Sequence, residues 1–129
     1  MALVSEHMAG NLVTVAPDEL LTAAAQRMAE RRVGAALVLE DDRVVGILTE
    51  RDVLRAVAAG GVETARVSAW VTAHPETIEP DDSLDHAAVL MIHGGFRHLP
   101  VVDAGRAVGI LSIRDLVRVA LDDRAPRGA

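Results

Sequence analysis

The hydrophobic positions of the chain follow the same succession of periods twice. A short extended segment, 13–15 or 77–78, ends near a proline and leads into apolar residues spaced i, i+3, i+4, i+7. This spacing places one apolar face on a helix. It is carried by Leu21, Ala24, Ala25 and Met28 in the first half and by Leu84, Ala87, Ala88 and Met91 in the second. Each half is therefore predicted to begin with a strand and an amphipathic helix.

Two apolar strands joined by a polar turn follow each predicted helix. Strands 36–39 and 44–48 flank the turn 40–43, and strands 99–102 and 107–111 flank the turn 103–106. Short apolar runs bounded by turn residues predict a β-hairpin. A last amphipathic helix is predicted from Thr49 in the first half and from Ser112 in the second. The order in each half is strand, helix, strand, strand, helix.

The two halves are copies of one unit, because the chain aligns with itself without gaps at an offset of 63 residues. Identical pairs include Thr14 and Thr77, Pro17 and Pro80, Gly46 and Gly109, and Asp52 and Asp115. A gapless self-match of this kind indicates an internal repeat. We assign residues 4–58 to repeat 1, 59–66 to a linker and 67–121 to repeat 2, and we expect a flexible tail at 122–129.

A unit of ~55 residues is marginally stable by itself. We therefore expect the two repeats to pair their sheets about a pseudo-twofold axis. Such pairing leaves a cleft between the halves in which equivalent loops face each other. A small ligand is expected to bind there, since clefts between packed units are the usual place for small-molecule sites.

The composition and charge of the chain limit the kinds of partner that it is expected to bind. The net charge is −6 and the basic residues, all arginine, form no run, so no nucleic-acid partner is expected. Cysteine is absent, there is no signal-peptide pattern, and no apolar stretch approaches the ~20 residues of a membrane span. We expect a cytoplasmic protein with no membrane partner. His86 and His93 could share a helix face, but no third ligand accompanies them, so no metal site is expected.

One motif recurs where the last strand of each repeat meets the last helix. Residues 46–52 read Gly-Ile-Leu-Thr-Glu-Arg-Asp, and residues 109–115 read Gly-Ile-Leu-Ser-Ile-Arg-Asp. The helix N-terminus, with its hydroxyl and arginine, can hold phosphate, and the carboxylate can accept hydrogen bonds from two vicinal hydroxyls of a ribose. The same hydroxyl and carboxylate also form a capping box, which needs no ligand. The two interpretations are compatible, and both stay open at this point.

These motifs are accompanied by the openings Thr14…Pro17 and Thr77…Pro80 and by the segment Phe-Arg-His-Leu-Pro-Val-Val-Asp at 96–103. Together they make the chain resemble a CBS-domain pair, the Bateman module of the cystathionine β-synthase domain family, over about residues 4–121. The resemblance implies an α/β fold of tandem β-α-β-β-α repeats packed through their sheets. It also implies a regulatory role, a homodimer, an effector protein of unknown identity, and adenosine ligands such as AMP, ADP, ATP or S-adenosylmethionine.

The resemblance assigns candidate ligand-binding residues position by position. Asp52 and Asp115 match the ribose-binding acid, and Thr49 and Ser112 match a hydroxyl near phosphate. Thr14, Val15, Thr77 and Ile78 match the segment that lines the adenine pocket, and Arg97 and His98 match a pair that meets phosphate. Arg51, Arg114 and Pro100 are further candidates beside these motifs.

The repeats differ where phosphate would bind, because the counterparts of Arg97 and His98 are Gly34 and Ala35. We therefore expect unequal clefts, with a phosphorylated ligand at the Asp115 site. The first hypothesis is a sensor of adenosine nucleotides; the alternative is a dimerisation and docking module that has lost nucleotide binding. No phosphate-binding loop, Ser-His-Asp arrangement or His-Glu-x-x-His motif is present in the sequence, so no catalytic residue is predicted.

Overall fold

The structure, a computed structural model, describes residues 2–124. The helices are α1 (Val4–His7), α2 (Leu21–Arg31), α3 (Glu50–Ala59), α4 (Leu84–Gly94) and α5 (Ile113–Arg124). The strands are β1 (Thr14–Val15), β2 (Ala35–Glu40), β3 (Arg43–Thr49), β4 (Thr72–Ala73), β5 (His98–Asp103) and β6 (Arg106–Ser112). The tail was expected from residue 122, but α5 continues to Arg124; residues 125–129 lie outside the described part of the chain.

The two hairpins, β2–β3 and β5–β6, have the same register. Val38 pairs with Gly46 in the first and Val101 with Gly109 in the second, and each register shifts immediately after that pair. The central side chains of these strands, such as Leu37 and Leu99, are completely buried. The continuous apolar runs that predicted the hairpins thus reflect strands that are covered on both faces.

The edge strand is longer in the first repeat than in the second. β1 lies parallel to β2, and the Leu37 N–H donates to the Val13 carbonyl at 2.9 Å. The counterpart of Leu37 is Pro100, which has no N–H to donate. The predicted strand at 77–78 is accordingly reduced to one isolated bridge between Ile78 and Val101.

The segments that precede the two repeats are exchanged between them. The N-terminal segment crosses to repeat 2: Val4 is buried in its core, its N–H donates to the Asp82 carbonyl at 2.9 Å, and Ala9 bridges Ile110 in β6. In the same way Val67 is buried in the core of repeat 1. The sequence boundaries 4–58 and 67–121 therefore describe the duplication, whereas each core begins with residues of the other copy.

A third apolar cluster joins the two repeats. Buried Ala35, Leu37 and Ile47 of the first sheet pack with partly buried Ala107 and Ile110 of β6. The expected pairing of the repeats through their sheets is thereby confirmed. The arrangement places the ends of the hairpins and the first turns of α3 and α5 around the seam between the repeats.

Candidate functional site

A cleft of about 540 Å³ lies at this seam and receives residues from both repeats. The first repeat contributes the C-terminal end of α2, the segment that follows it, and Glu50 at the start of α3. The second repeat contributes the start of β5, the end of β6 and the first turns of α5. The lining residues that carry charge or a polar side chain are Arg32, Glu50, Arg97, His98, Ser112, Arg114, Asp115 and Arg118.

The charge of the cleft is opposite to that of the whole chain. Four arginines and only two carboxylates line it, on a protein whose net charge is −6. Among the side chains of residues 2–122, no carboxylate lies within ion-pairing distance of Arg32, Arg97 or Arg114. A concentration of unpaired positive charge in a concave site favours an anionic ligand.

Asp115 caps α5 and also lines the cleft. Its Oδ2 accepts hydrogen bonds from the Ser112 N–H at 2.8 Å and from the Ser112 hydroxyl at 3.0 Å, and its own N–H donates to that hydroxyl at 3.3 Å. Its Oδ1 lies 3.8 Å from Arg118 Nη1, too far for a direct hydrogen bond. The cap occupies one carboxylate oxygen, and the other remains available as an acceptor.

Asp52 forms the same cap on α3, but both of its carboxylate oxygens already accept hydrogen bonds within the protein. Its Oδ2 accepts from the Thr49 N–H at 2.9 Å and from the Thr49 hydroxyl at 3.0 Å, while its Oδ1 accepts from Arg55 Nη1 at 3.3 Å. The side chain is 8% exposed, against 15% for Asp115. Asp52 does not line the cleft. The two aspartates are equal in sequence but unequal in their access to a ligand.

Backbone amides at the start of α5 are largely occupied inside the protein. The Ser112 and Asp115 N–H groups belong to the capping box, and the Ile113 N–H donates to the Arg97 carbonyl at 2.8 Å. Because these amides already have acceptors, a phosphate in the cleft would be held by guanidinium groups rather than by the helix N-terminus alone. The hydrogen bond to Arg97 also fixes the start of α5 against the start of β5.

His98 is half-buried between the two repeats. Burial lowers its pKa below the ordinary value of 6.5, and the nearby Arg97 and Arg114 act in the same direction. The carboxylates of Glu50 and Asp115 act in the opposite direction but do not outweigh burial. His98 is therefore neutral at pH 7 and able both to donate and to accept a hydrogen bond.

Stability should fall as the solution becomes acidic, and His98 should cause part of the fall. Below pH about 6.5 the unfolded chain binds a proton at this residue before the folded protein does, so stability is lost as pH falls from the unfolded pKa through the folded one. Urea unfolding at pH 7.5 and 5.5 measures the effect, and His98→Gln should reduce the difference between the two conditions. His86→Gln, on the exposed part of α4, is the control; an unchanged pH difference in His98→Gln would contradict the assignment.

The cleft brings together five of the predicted site residues, namely Arg97, His98, Ser112, Arg114 and Asp115. The other eight do not line it. Val15, Ile78 and Pro100 are buried in the cores, Thr49 and Asp52 cap α3, and Arg51 and Thr77 are exposed elsewhere. Thr14 lines a separate cavity of about 280 Å³ beside Arg27 and Arg31.

Sequence reasoning missed Arg32, Glu50 and Arg118. Arg118 could have been found because it is identical to Arg55 at the offset of 63 residues. Arg32 belongs to no motif, and Glu50 stands at a motif position where the two copies differ. Both residues belong to repeat 1 and reach the cleft only through the pairing of the repeats.

Two further features of residues 2–124 bear on the class of site. No group of three or more His, Asp or Glu side chains is placed to hold a metal ion. No helix in this part of the chain has the length and apolar character that crossing a bilayer requires.

The comparisons with known proteins agree with this architecture. The family model described as CBS domain matches residues 4–59 and 67–122. The CBS domain-containing protein YhcV of Bacillus subtilis is 35% identical over 117 residues, covering 90% of this chain and 84% of its own length. In two other curated relatives, MJ1225 of Methanocaldococcus jannaschii and CBSCBSPB5 of Arabidopsis thaliana, the matched part is 44% and 21% of the protein.

Solved structures give the same result. A CBS-domain-containing protein of Agrobacterium tumefaciens is 34% identical with a TM-score of 0.84, and the match covers 92% of this chain and 99% of that chain. CBSX2 of Arabidopsis thaliana, solved in complex with AMP, is 27% identical with a TM-score of 0.81, over 97% of this chain and 100% of that chain. The resemblance noted from the sequence motifs is confirmed, and the chain belongs to the CBS domain family, with one CBS domain in each repeat.

Proposed function

We propose that the protein is a regulatory module that binds an adenosine nucleotide in the cleft between its two CBS domains. The observation that carries the proposal is the combination of unpaired arginines with the available oxygen of Asp115 in one concave site of about 540 Å³. A cation cluster beside a carboxylate acceptor is complementary to a phosphate joined to a sugar. AMP bound to the related CBSX2 supports adenosine as the base and sugar.

Asp115 would bind the ribose. Two vicinal hydroxyls can both donate to its Oδ1, whose two lone pairs the cap leaves available. Hydrogen bonds to a charged acceptor contribute about 1.5–3 kcal/mol each. A ligand that lacks these hydroxyls leaves a desolvated carboxylate without donors, and this difference provides discrimination.

Arg97 and Arg114 would bind the phosphate, with His98 as an additional donor. A guanidinium group can form two parallel hydrogen bonds with phosphate oxygens, and it keeps its charge at all physiological pH values. Phosphate beside His98 also favours the protonated imidazole, which opposes the lowering of its pKa by burial. AMP, ADP, ATP and S-adenosylmethionine are the ligands to compare, since the first three differ in the number of phosphates at this end and S-adenosylmethionine has none.

Regulation would follow from the position of the ligand between the repeats. A ligand shifts a conformational equilibrium only by the difference in its affinity for the two arrangements, and a ligand that touches both repeats can have such a difference. Exposed apolar side chains on α4 and α5, namely Val89, Ile92, Val117 and Leu121, fit a homodimer in which a second copy covers them. The output would pass to an effector protein in the cytoplasm.

A thermal-shift screen tests the proposal. Ligand at one hundred times its Kd stabilises the folded state by about 2.7 kcal/mol, so AMP, ADP, ATP or S-adenosylmethionine should raise the Tm by several degrees. Deoxyadenosine monophosphate, which lacks the 2′-hydroxyl, is the matched control and should give a smaller shift than AMP. Absence of a shift with all four ligands at millimolar concentration would refute the proposal.

The second candidate is a docking module without a nucleotide. It is favoured by the capping boxes, since both aspartates stabilise their helices whether or not a ligand is present. In this case the screen would show no shift, while sedimentation would still show a dimer.

A further inference from the structure

Arg32 has an unusual backbone conformation. Helix α2 ends at Arg31, and Arg32 follows with φ 56° and ψ 43°, in the left-handed region. The Val33 N–H then donates to the Met28 carbonyl at 3.1 Å, which closes the end of the helix. The Cβ atom makes this region unfavourable for most L-residues, and glycine or asparagine is the usual occupant of such a position.

The second repeat has the usual occupant at the equivalent position. The counterpart of Arg32 is Gly95, with φ 73° and ψ 22°, and the Phe96 N–H donates to the Met91 carbonyl at the same 3.1 Å. The two helix ends are therefore closed in the same way. The first repeat carries arginine where the second shows that glycine is sufficient for the fold.

The Arg32 side chain does not compensate for this conformation within the protein. No hydrogen bond or ion pair to its guanidinium group is present within the described part of the chain, residues 2–122. It does line the cleft, where Arg97 and Arg114 of the second repeat also lie. The other non-glycine residues with positive φ, namely Asp41, Asp42, His74 and Ala104, lie in turns or bends and line neither cavity.

We propose that Arg32 is a phosphate-binding residue, supplied by the first repeat to the cleft whose ribose-binding aspartate belongs to the second. This inference rests on the proposed nucleotide site. The ligand is then a nucleotide with a terminal phosphate or diphosphate. A bound phosphate then links Arg32 of one repeat to Arg97 and Arg114 of the other, so ligand binding restrains the repeats relative to each other.

Arg32→Gly distinguishes phosphate binding from a structural role, because it should stabilise the ligand-free protein and at the same time weaken AMP binding. Glycine relieves the left-handed conformation, so the Tm of the ligand-free protein should rise by about 2–5 °C. Loss of the guanidinium should weaken AMP binding about 10-fold in calorimetric titration. Adenosine, measured in competition with AMP, has no phosphate and should retain its affinity within about twofold. Arg32→Lys, which keeps the charge and the strain, should bind AMP more tightly than Arg32→Gly and should show no rise in Tm.

Two variants control for the separate effects. Ala104→Gly relieves a positive φ of 52° outside the cleft and should leave AMP binding unchanged. Arg43→Ala removes one exposed arginine in the β2–β3 turn region and controls for net charge. If Arg32→Gly binds AMP as the unmodified protein does, or if AMP and adenosine weaken equally, the role of Arg32 is overturned while the nucleotide site stands. If the unmodified protein binds neither ligand, the proposed function itself fails and the inference fails with it.

Discussion

Asp115→Ala should weaken AMP binding by about 100-fold or more, whereas Asp52→Ala should leave it within about threefold. The estimate follows from the loss of two charge-assisted hydrogen bonds to the ribose, each contributing about 1.5–3 kcal/mol, at a residue that lines the cleft. Asp52 is bonded to Arg55 and lines neither described cavity, so its removal deprives the ligand of no contact. Calorimetric titration of both variants with AMP measures the difference.

Comparing the two variants separates the loss of a ligand contact from the loss of a helix cap, because both variants lose the cap. Each substitution removes the same two capping hydrogen bonds to the carboxylate, from Thr49 in one case and from Ser112 in the other, and leaves the bond that the backbone N–H donates to the hydroxyl. Loss of the box should lower the free energy of unfolding by about 1–2 kcal/mol in both variants, as urea unfolding would show. The effect of Asp52→Ala on AMP binding therefore measures what loss of a cap does by itself. Equal loss of affinity in the two variants would contradict the unequal clefts.

Val4→Asp should destabilise the second repeat, although residue 4 stands at the start of the first. Val4 is completely buried in the core that contains Leu99, Val101 and Leu111. An unpaired carboxylate there should lower the free energy of unfolding by more than about 3 kcal/mol. Hydrogen exchange measured by mass spectrometry should show loss of protection in β5 and β6 before β2 and β3.

The reciprocal variant provides the control. Val67→Asp places the same charge in the core that contains Val15, Leu21 and Leu48, so β2 and β3 should lose protection first. If the aspartate variants do not fold, Val4→Ala and Val67→Ala replace them. The hairpins should lose protection in the same order, and the free energy of unfolding should fall by about 2 kcal/mol in each variant. If Val4 variants expose the first hairpin instead, the exchange of segments is wrong.

The two copies differ at several positions that line the cleft. The cap residues Asp52 and Asp115 are identical. At the same offset of 63 residues, however, Gly34 corresponds to Arg97, Ala35 to His98 and Glu50 to Ile113. The virtual Cβ of Gly34 would lie 3.2 Å from Glu50 Oε1 and 3.5 Å from His98 Nε2, so glycine there allows these polar groups of opposite repeats to approach each other. Two repeats of the same fold therefore contribute different side chains to the cleft.

The sequence predicted the site only where its residues share a motif. Ser112 ends β6 and is followed by Arg114 and Asp115, and Arg97 stands directly before β5, which begins at His98. Their nearness could therefore be inferred from the hairpin that joins the two strands. The candidates from the first repeat were inferred by symmetry, and the structure places none of them in the cleft. The two aspartates are identical in sequence but differ in their accessibility to a ligand. Arg55 donates a hydrogen bond to Asp52, and the position equivalent to Arg97 is Gly34.

The chain by itself determined the duplication, the order of helices and strands, and the capping of α3 and α5, because periodicity, turn residues and capping boxes act over a few neighbouring residues. It also determined that Pro100 cannot donate a hydrogen bond, although the shortened edge strand was not foreseen. Only the tertiary structure decided that Val4 and Val67 are each buried in the core of the other repeat and that Arg32 and Glu50 line the same cleft as Asp115. These contacts depend on how two similar apolar surfaces pack, and residues of the same type at an offset of 63 are equally compatible with either partner until that packing is formed.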